Sequence, residues 1–115
     1  MPHFVVDCSD NILSIHNEDV INQEIHHVAN ATGLFDECDI KVRVNPFSTY
    51  LVGNKKDDFI HVFANIMEGR TTEQKANLSQ VIVAKLVEMF PKVVNVAMNV
   101  NDFEKATYCN KSQLS

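Results

Sequence analysis

The sequence predicts a two-layer α/β fold (α+β): two β-α-β units that form a four-stranded mixed sheet with two helices on one face. Three observations carry this prediction. Two stretches of helical periodicity, one from about 17 to 32 and one opening at Thr71, are each flanked by stretches of strand character. The second unit begins at Phe59, about 57 residues after Pro2, so the order strand–helix–strand occurs twice. A length of 115 residues suits one domain with one modest core. The chain therefore reads as a single domain over 1–115, with pseudo-repeats at about 2–45 and 58–100 and a polar tail at 102–115.

Each element has its own local reason. Pro2 to Cys8 is short, β-branched and aromatic, which predicts the first strand, and Ser9-Asp10-Asn11 is turn chemistry. In the first helix Val20, Ile21, Ile25, Val28 and Ala29 recur at one-face spacing. Asn17 is its expected N-cap, Glu18 and Asp19 suit the first turn, and Gly33 is its stop. Ile40 to Val44 alternates as a strand with one buried face, and Pro46 is expected to end it. Phe47 to Asp58 holds Gly53-Asn54 and the run Lys55-Lys56-Asp57-Asp58, which reads as a loop containing a hairpin turn.

Phe59 to Met67 is the most strand-like segment, with apolar residues on both faces. Thr71 with Gln74 forms a capping box for the second helix. Leu78, Val81, Ile82, Leu86 and Met89 make its buried stripe, and Pro91 follows as a stop. Val94, Val96, Met98 and Val100 alternate along the last strand. The tail reads as a short helix, an edge strand or a frayed end. Two right-handed β-α-β crossovers put both helices on one side of the sheet. Nothing in so short a chain remains to cover the other side, so another subunit is expected there.

Composition excludes several functions. Lys and Arg total 10 against 15 Asp and Glu, a net charge of −5, where a nucleic-acid binder would carry a basic surplus. No apolar run approaches the ~20 residues that span a bilayer. The opening Met-Pro-His-Phe-Val-Val-Asp-Cys lacks the basic n-region of a secretory signal. Cys8, Cys38 and Cys109 are odd in number and widely spaced, with no C-x-x-C. Free thiols fit a reducing cytoplasm, and Cys8 and Cys38 read as small core residues. The five histidines form no compact ligand motif, so no metal site and no cofactor are expected.

The candidate chemistry lies at the N-terminus. Removal of Met1 would expose the secondary amine of Pro2, which can act as a general base. An ordinary α-amino group titrates near about 7.7–8.0. Burial or a nearby cation lowers that value by disfavouring the charged form. Only two arginines are present, Arg43 and Arg70. Lys41 and Arg43 project from the same face of one strand, which by itself reads as that strand's solvated face. Arg70 just before a helix is a mild mismatch with the helix dipole, and that mismatch suits an anion held by both.

The opening Pro2-His3-Phe4-Val5-Val6-Asp7-Cys8-Ser9-Asp10-Asn11-Ile12 closely resembles the start of the 5-carboxymethyl-2-hydroxymuconate Δ-isomerase family, part of the tautomerase superfamily. Ala31-Thr32-Gly33-Leu34-Phe35 and Gly69-Arg70 extend the resemblance over nearly the whole chain. The resemblance implies paired β-α-β units, a homotrimer with active sites between subunits, and a cofactor-free isomerase of aromatic-compound catabolism. It implies Pro2 as the base that moves a proton in a small unsaturated oxo-dicarboxylate. Arg70 matches a family active-site arginine, while the other falls on Lys41, with Arg43 two residues further on. Lysine offers a point charge in place of arginine's bidentate fork. The alternatives left open are a non-catalytic trimer of the same fold that binds small ligands or proteins, and a ferredoxin-like sensing domain.

Overall fold

The computed structural model of the chain describes residues 1–114, so Ser115 at the end of the predicted tail lies outside the described residues. Four strands, β1 (His3–Ser9), β2 (Lys41–Phe47), β3 (Phe59–Met67) and β4 (Asn95–Phe103), form one mixed sheet in the order β2-β1-β3-β4. The helices are α1 (Glu18–Ala31) and α2 (Thr72–Met89). Within each unit the strands are parallel, β1 with β2 and β3 with β4; β1 and β3 join the units antiparallel. The predicted mixed sheet with two helices on one face is what the chain forms.

Alternation along the strands sorts the sheet into two faces. Phe4, Val6 and Cys8 of β1 and Ile60, Val62 and Ala64 of β3 are buried against Ile21, Ile25 and Ala29 of α1 and Leu78, Ile82 and Leu86 of α2. Complete burial of a side chain such as Phe4 contributes about 1.5–3 kcal/mol. The other face carries His3, Val5 and Asp7, then Lys41 and Arg43, then Phe59, His61, Phe63, Asn65 and Met67. Neither helix packs on it; Tyr50 meets Phe59 at one end, and Phe63 is 39% exposed.

The helix ends follow their sequence signals. Asn17 caps α1 by accepting from the Val20 amide at 3.0 Å. At α2 the Thr71 hydroxyl accepts from the Gln74 amide, and the Gln74 side chain accepts from the Thr71 amide, which completes the capping box. Gly53 and Asn54 both have positive φ and form the tip of a one-bridge hairpin between Val52 and Lys55.

Several expectations are corrected. Pro46 does not end β2; it pairs opposite Cys8 and the strand runs on to Phe47. A missing N–H is tolerated there because β2 is an edge strand. Val20 is exposed, since it lies about 100° round the helix from the Ile21–Ile25–Ala29 stripe. Val94 is 90% exposed and precedes β4, which starts at Asn95 and continues to Phe103. Cys38 is exposed in a short 3-10 turn, Glu37–Asp39, where its amide donates to the Asp36 carboxylate at 3.1 Å. The tail after β4 forms two 3-10 turns, Lys105–Thr107 and Lys111–Leu114. It is tied back where Tyr108 stacks on Phe103 at 5.5 Å and the Lys105 amide donates to Glu68 at 2.7 Å.

Candidate active site

The topology gathers one end of every element. β1 and β2 both start at this end because they are parallel, and β3 and β4 finish here because His3 lies opposite Asn65. The C-terminus of α1 with its following segment 32–39, and the N-terminus of α2, close the same end. Pro2, Lys41 and Arg70, far apart in sequence, therefore meet around the start of the chain.

Pro2 is buried, and its carbonyl accepts from the Lys41 amide at 3.1 Å, which docks the N-terminus on the β2 edge. With Met1 in place the Pro2 nitrogen is an amide, and the free α-amino group is that of Met1. Its proton affinity lies below the ordinary value of 8.0. Burial is the largest cause; Asp39 opposes it, Arg70 and then Lys41 add to the lowering, and Asp36 opposes last. An amine at this place is thus held toward its neutral, proton-accepting form by desolvation and two cations.

Arg70 is half-buried and fixed from three sides. Its Nη2 donates to the Leu34 carbonyl at 2.6 Å, its Nη1 donates to the Met67 carbonyl at 3.2 Å, and its guanidinium lies 5.0 Å from the centre of the Phe35 ring. Gly69, at φ +123°, supplies the backbone turn that delivers Arg70 to this spot. The Lys41 ammonium donates to the Asp39 carbonyl at 3.0 Å. Among the described residues no ion pair involves Arg70, Lys41 or Arg43, so three cations stand without an acidic partner.

The structure separates Lys41 from Arg43. Lys41 acts on the α-amino group together with Arg70, whereas Arg43 is not among the groups that shift it. Arg43 donates instead to His3 Nδ1 at 3.1 Å. It lines a neighbouring hollow of about 350 Å³ with His3, Asn65, Phe103 and Tyr108. His3 is held below its ordinary 6.5, first by burial and then by Arg43, Lys41 and the N-terminus. A larger hollow of about 570 Å³ lies at the opposite end of the sheet between Val52 and Asn95. Lys55 and Lys92 there are balanced by Asp57 and Asp58, so it offers an anion little net attraction.

Other reactive groups lie elsewhere. Burial pushes the Cys8 thiol up to about 12, which leaves it without thiolate character. Among the described residues no group of three or more His, Cys, Asp or Glu side chains could hold a metal ion. No helix among them is long and apolar enough to cross a membrane. Leu34, Phe35 and Asp39 shape the site but are absent from the four residues predicted above. The one sequence signal for the first two is their place at the end of the Ala31–Phe35 stretch; Asp39 has none.

Comparison with known proteins agrees with this architecture. The family model of 5-carboxymethyl-2-hydroxymuconate isomerase matches residues 2–114. A 5-carboxymethyl-2-hydroxymuconate Delta-isomerase of Escherichia coli is 26% identical over 106 residues, covering 90% of this chain and 84% of that protein. The crystal structure of a 5-carboxymethyl-2-hydroxymuconate isomerase from Deinococcus radiodurans R1 matches with a TM-score of 0.83 at 23% identity, covering 96% of this chain and 88% of that one. A fused 4-OT symmetric trimer matches with a TM-score of 0.79 at 15% identity, covering 96% of this chain and 94% of its own. The two structural likenesses speak for the fold alone.

Proposed function

This chain belongs to the 5-carboxymethyl-2-hydroxymuconate isomerase family, and on that premise we propose that it is a cofactor-independent isomerase of small unsaturated 2-oxo or 2-hydroxydienoic dicarboxylates, with Pro2 as the general base. The observation that carries the reading is the convergence of Arg70 and Lys41 on an α-amino position whose proton affinity is lowered.

In this reading Met1 is removed and Pro2 presents a neutral secondary amine. The amine takes a proton from a carbon next to the oxo group, and the electron pair passes into the conjugated system as a dienolate. The prolinium then returns the proton to a carbon further along, so the double bond moves and nothing is gained or lost. Arg70 and Lys41 hold carboxylate and offset the charge that develops on the dienolate. Arg43, outside the reach of the amine, takes the far end of a longer substrate in the hollow beside His3.

We read the chain as one domain acting in the cytoplasm, without nucleic-acid or membrane partners. The protein is proposed to be a homotrimer with its sites between subunits. Two observations support assembly: the uncovered apolar residues of the sheet, and Asp7 Oδ1, a buried oxygen on that face with no hydrogen-bond partner. The likeness to fused 4-OT trimers adds to them.

Pro2→Ala in Met1-free protein is expected to lower kcat by about 10²-fold or more on a 2-hydroxydienedioate. Arg70→Ala is expected to cost about 1.5–3 kcal/mol in kcat/KM on that dicarboxylate, and much less on the matching monocarboxylate. An unchanged rate in Pro2→Ala would sink the mechanism and turn the reading to a non-catalytic binding protein.

A further inference from the structure

We infer that Phe35 is the positioning residue for Arg70 and thereby sets the preference of the site for a second carboxylate. This inference rests on the proposed role of Arg70 as a carboxylate holder. The guanidinium lies over the ring of Phe35, 5.0 Å from its centre. The ring is itself set edge-on against Phe4, with centroids 5.9 Å apart and planes at 76°. Phe4 is fully buried in β1, so the platform is anchored in the core. The carbonyl of Leu34, the residue just before it, accepts from Nη2, and the Met67 carbonyl accepts from Nη1. One dipeptide, Leu34-Phe35, therefore holds both an edge and a face of the guanidinium.

The kind of partner matters more than the number. A buried arginine is most often steadied by a carboxylate, which would also neutralise it and compete with an anionic substrate. Here the supports are two neutral carbonyls and an aromatic face, and no acid pairs with Arg70 among the described residues. The ring quadrupole favours the cation without cancelling its charge. Two of the five N–H donors are taken, which leaves three for a ligand in a fork whose plane is fixed. Without the ring the long side chain regains its rotamers and the fork loses its aim.

The test compares a 2-hydroxydienedioate with the matching 2-hydroxydienoate that lacks the second carboxylate. Phe35→Leu keeps apolar contact with Phe4 but removes the π face. It is expected to lower kcat/KM on the dicarboxylate about tenfold, mainly through KM, and to leave the monocarboxylate within about twofold. Phe35→Tyr, which keeps the ring, should restore the dicarboxylate rate. The double variant Phe35→Leu/Arg70→Ala should lose no more than Arg70→Ala alone. In wild-type protein the Arg70 side-chain protons should show an upfield ring-current shift by NMR, a readout that needs no variant to fold; its absence overturns the inference. If Arg70→Ala abolishes the dicarboxylate preference while Phe35→Leu retains it, the inference alone is overturned. If Arg70→Ala itself leaves the preference intact, the carboxylate role of Arg70 falls, and this inference with it.

Discussion

His3 and the α-amino group are neighbours pushed in the same direction by overlapping surroundings. For the amine this sets a pH profile. In Met1-free protein the same desolvation and cations should lower the Pro2 amine, so the acid limb of kcat/KM is expected below the value of an unburied N-terminal proline. Arg70→Ala removes one of the charges that lower it and should move the limb upward; a limb that stays fixed in that variant would show that Arg70 does not act on the base. For His3 the consequence is stability. Its folded value is below 6.5, so as pH falls the unfolded chain takes up the proton first. Stability is therefore complete above about 6.5 and is lost as pH falls below it. A protonated His3 also cannot accept from Arg43. His3→Gln should show a smaller loss of thermal stability than wild type between about pH 7 and about pH 5, measured by calorimetry.

The helix ends are the elements whose sequence signals translate most directly into structure. A cap is a contact over three residues, so Asn17 with Val20 and Thr71 with Gln74 can be read without knowing the rest of the chain. Thr71→Ala removes the hydroxyl that accepts from the Gln74 amide while leaving the residue-71 amide on the Gln74 side chain, and is expected to cost about 0.5–2 kcal/mol, seen as a lower urea midpoint with an unchanged slope. Gly69, two residues before, has a different job. Its φ of +123° is strained for any side chain although nothing crowds a Cβ there. Gly69→Ala should cost about 1–3 kcal/mol and shift Arg70 off its carbonyls, lowering the dicarboxylate preference as well as the melting temperature. Pro46, Val20 and Val94 were less legible. Their local pattern was right in kind, but sheet-edge position, helix phase and strand start are set by partners distant in sequence.

Over the whole molecule the unbalanced feature is the sheet. One face is sealed by α1 and α2, while the other presents Val5, Phe63 and Met67 among His3, Asp7, His61 and Asn65. His61 Nε2–H donates to Asn99 Oδ1 at 2.6 Å, and its ring lies tilted by 33° against Phe63 with centroids 4.3 Å apart. The proposed trimer predicts a particle of about 39 kDa, three times 13.0 kDa, by sedimentation equilibrium. Phe63→Asp places a charge in the middle of the uncovered face, opposite Val5, and should shift that particle toward the monomer. A trimer undisturbed by this change would mean that subunits meet elsewhere.

The strand–helix–strand order, the caps, the buried stripes and the residues able to carry charge at the site can all be read along the chain. These depend on periodicities of two and 3.6 residues and on contacts within one turn. How the charges are shared out follows from the packing of distant segments. Antiparallel pairing of β1 with β3 brings Arg70 to the N-terminus, and parallel pairing of β1 with β2 brings Lys41 there. The same packing turns Arg43 toward His3 and seats Phe35 behind Arg70. Those relations depend on register and on packing across dozens of residues, and no local pattern encodes which of two cations on one strand face reaches the amine.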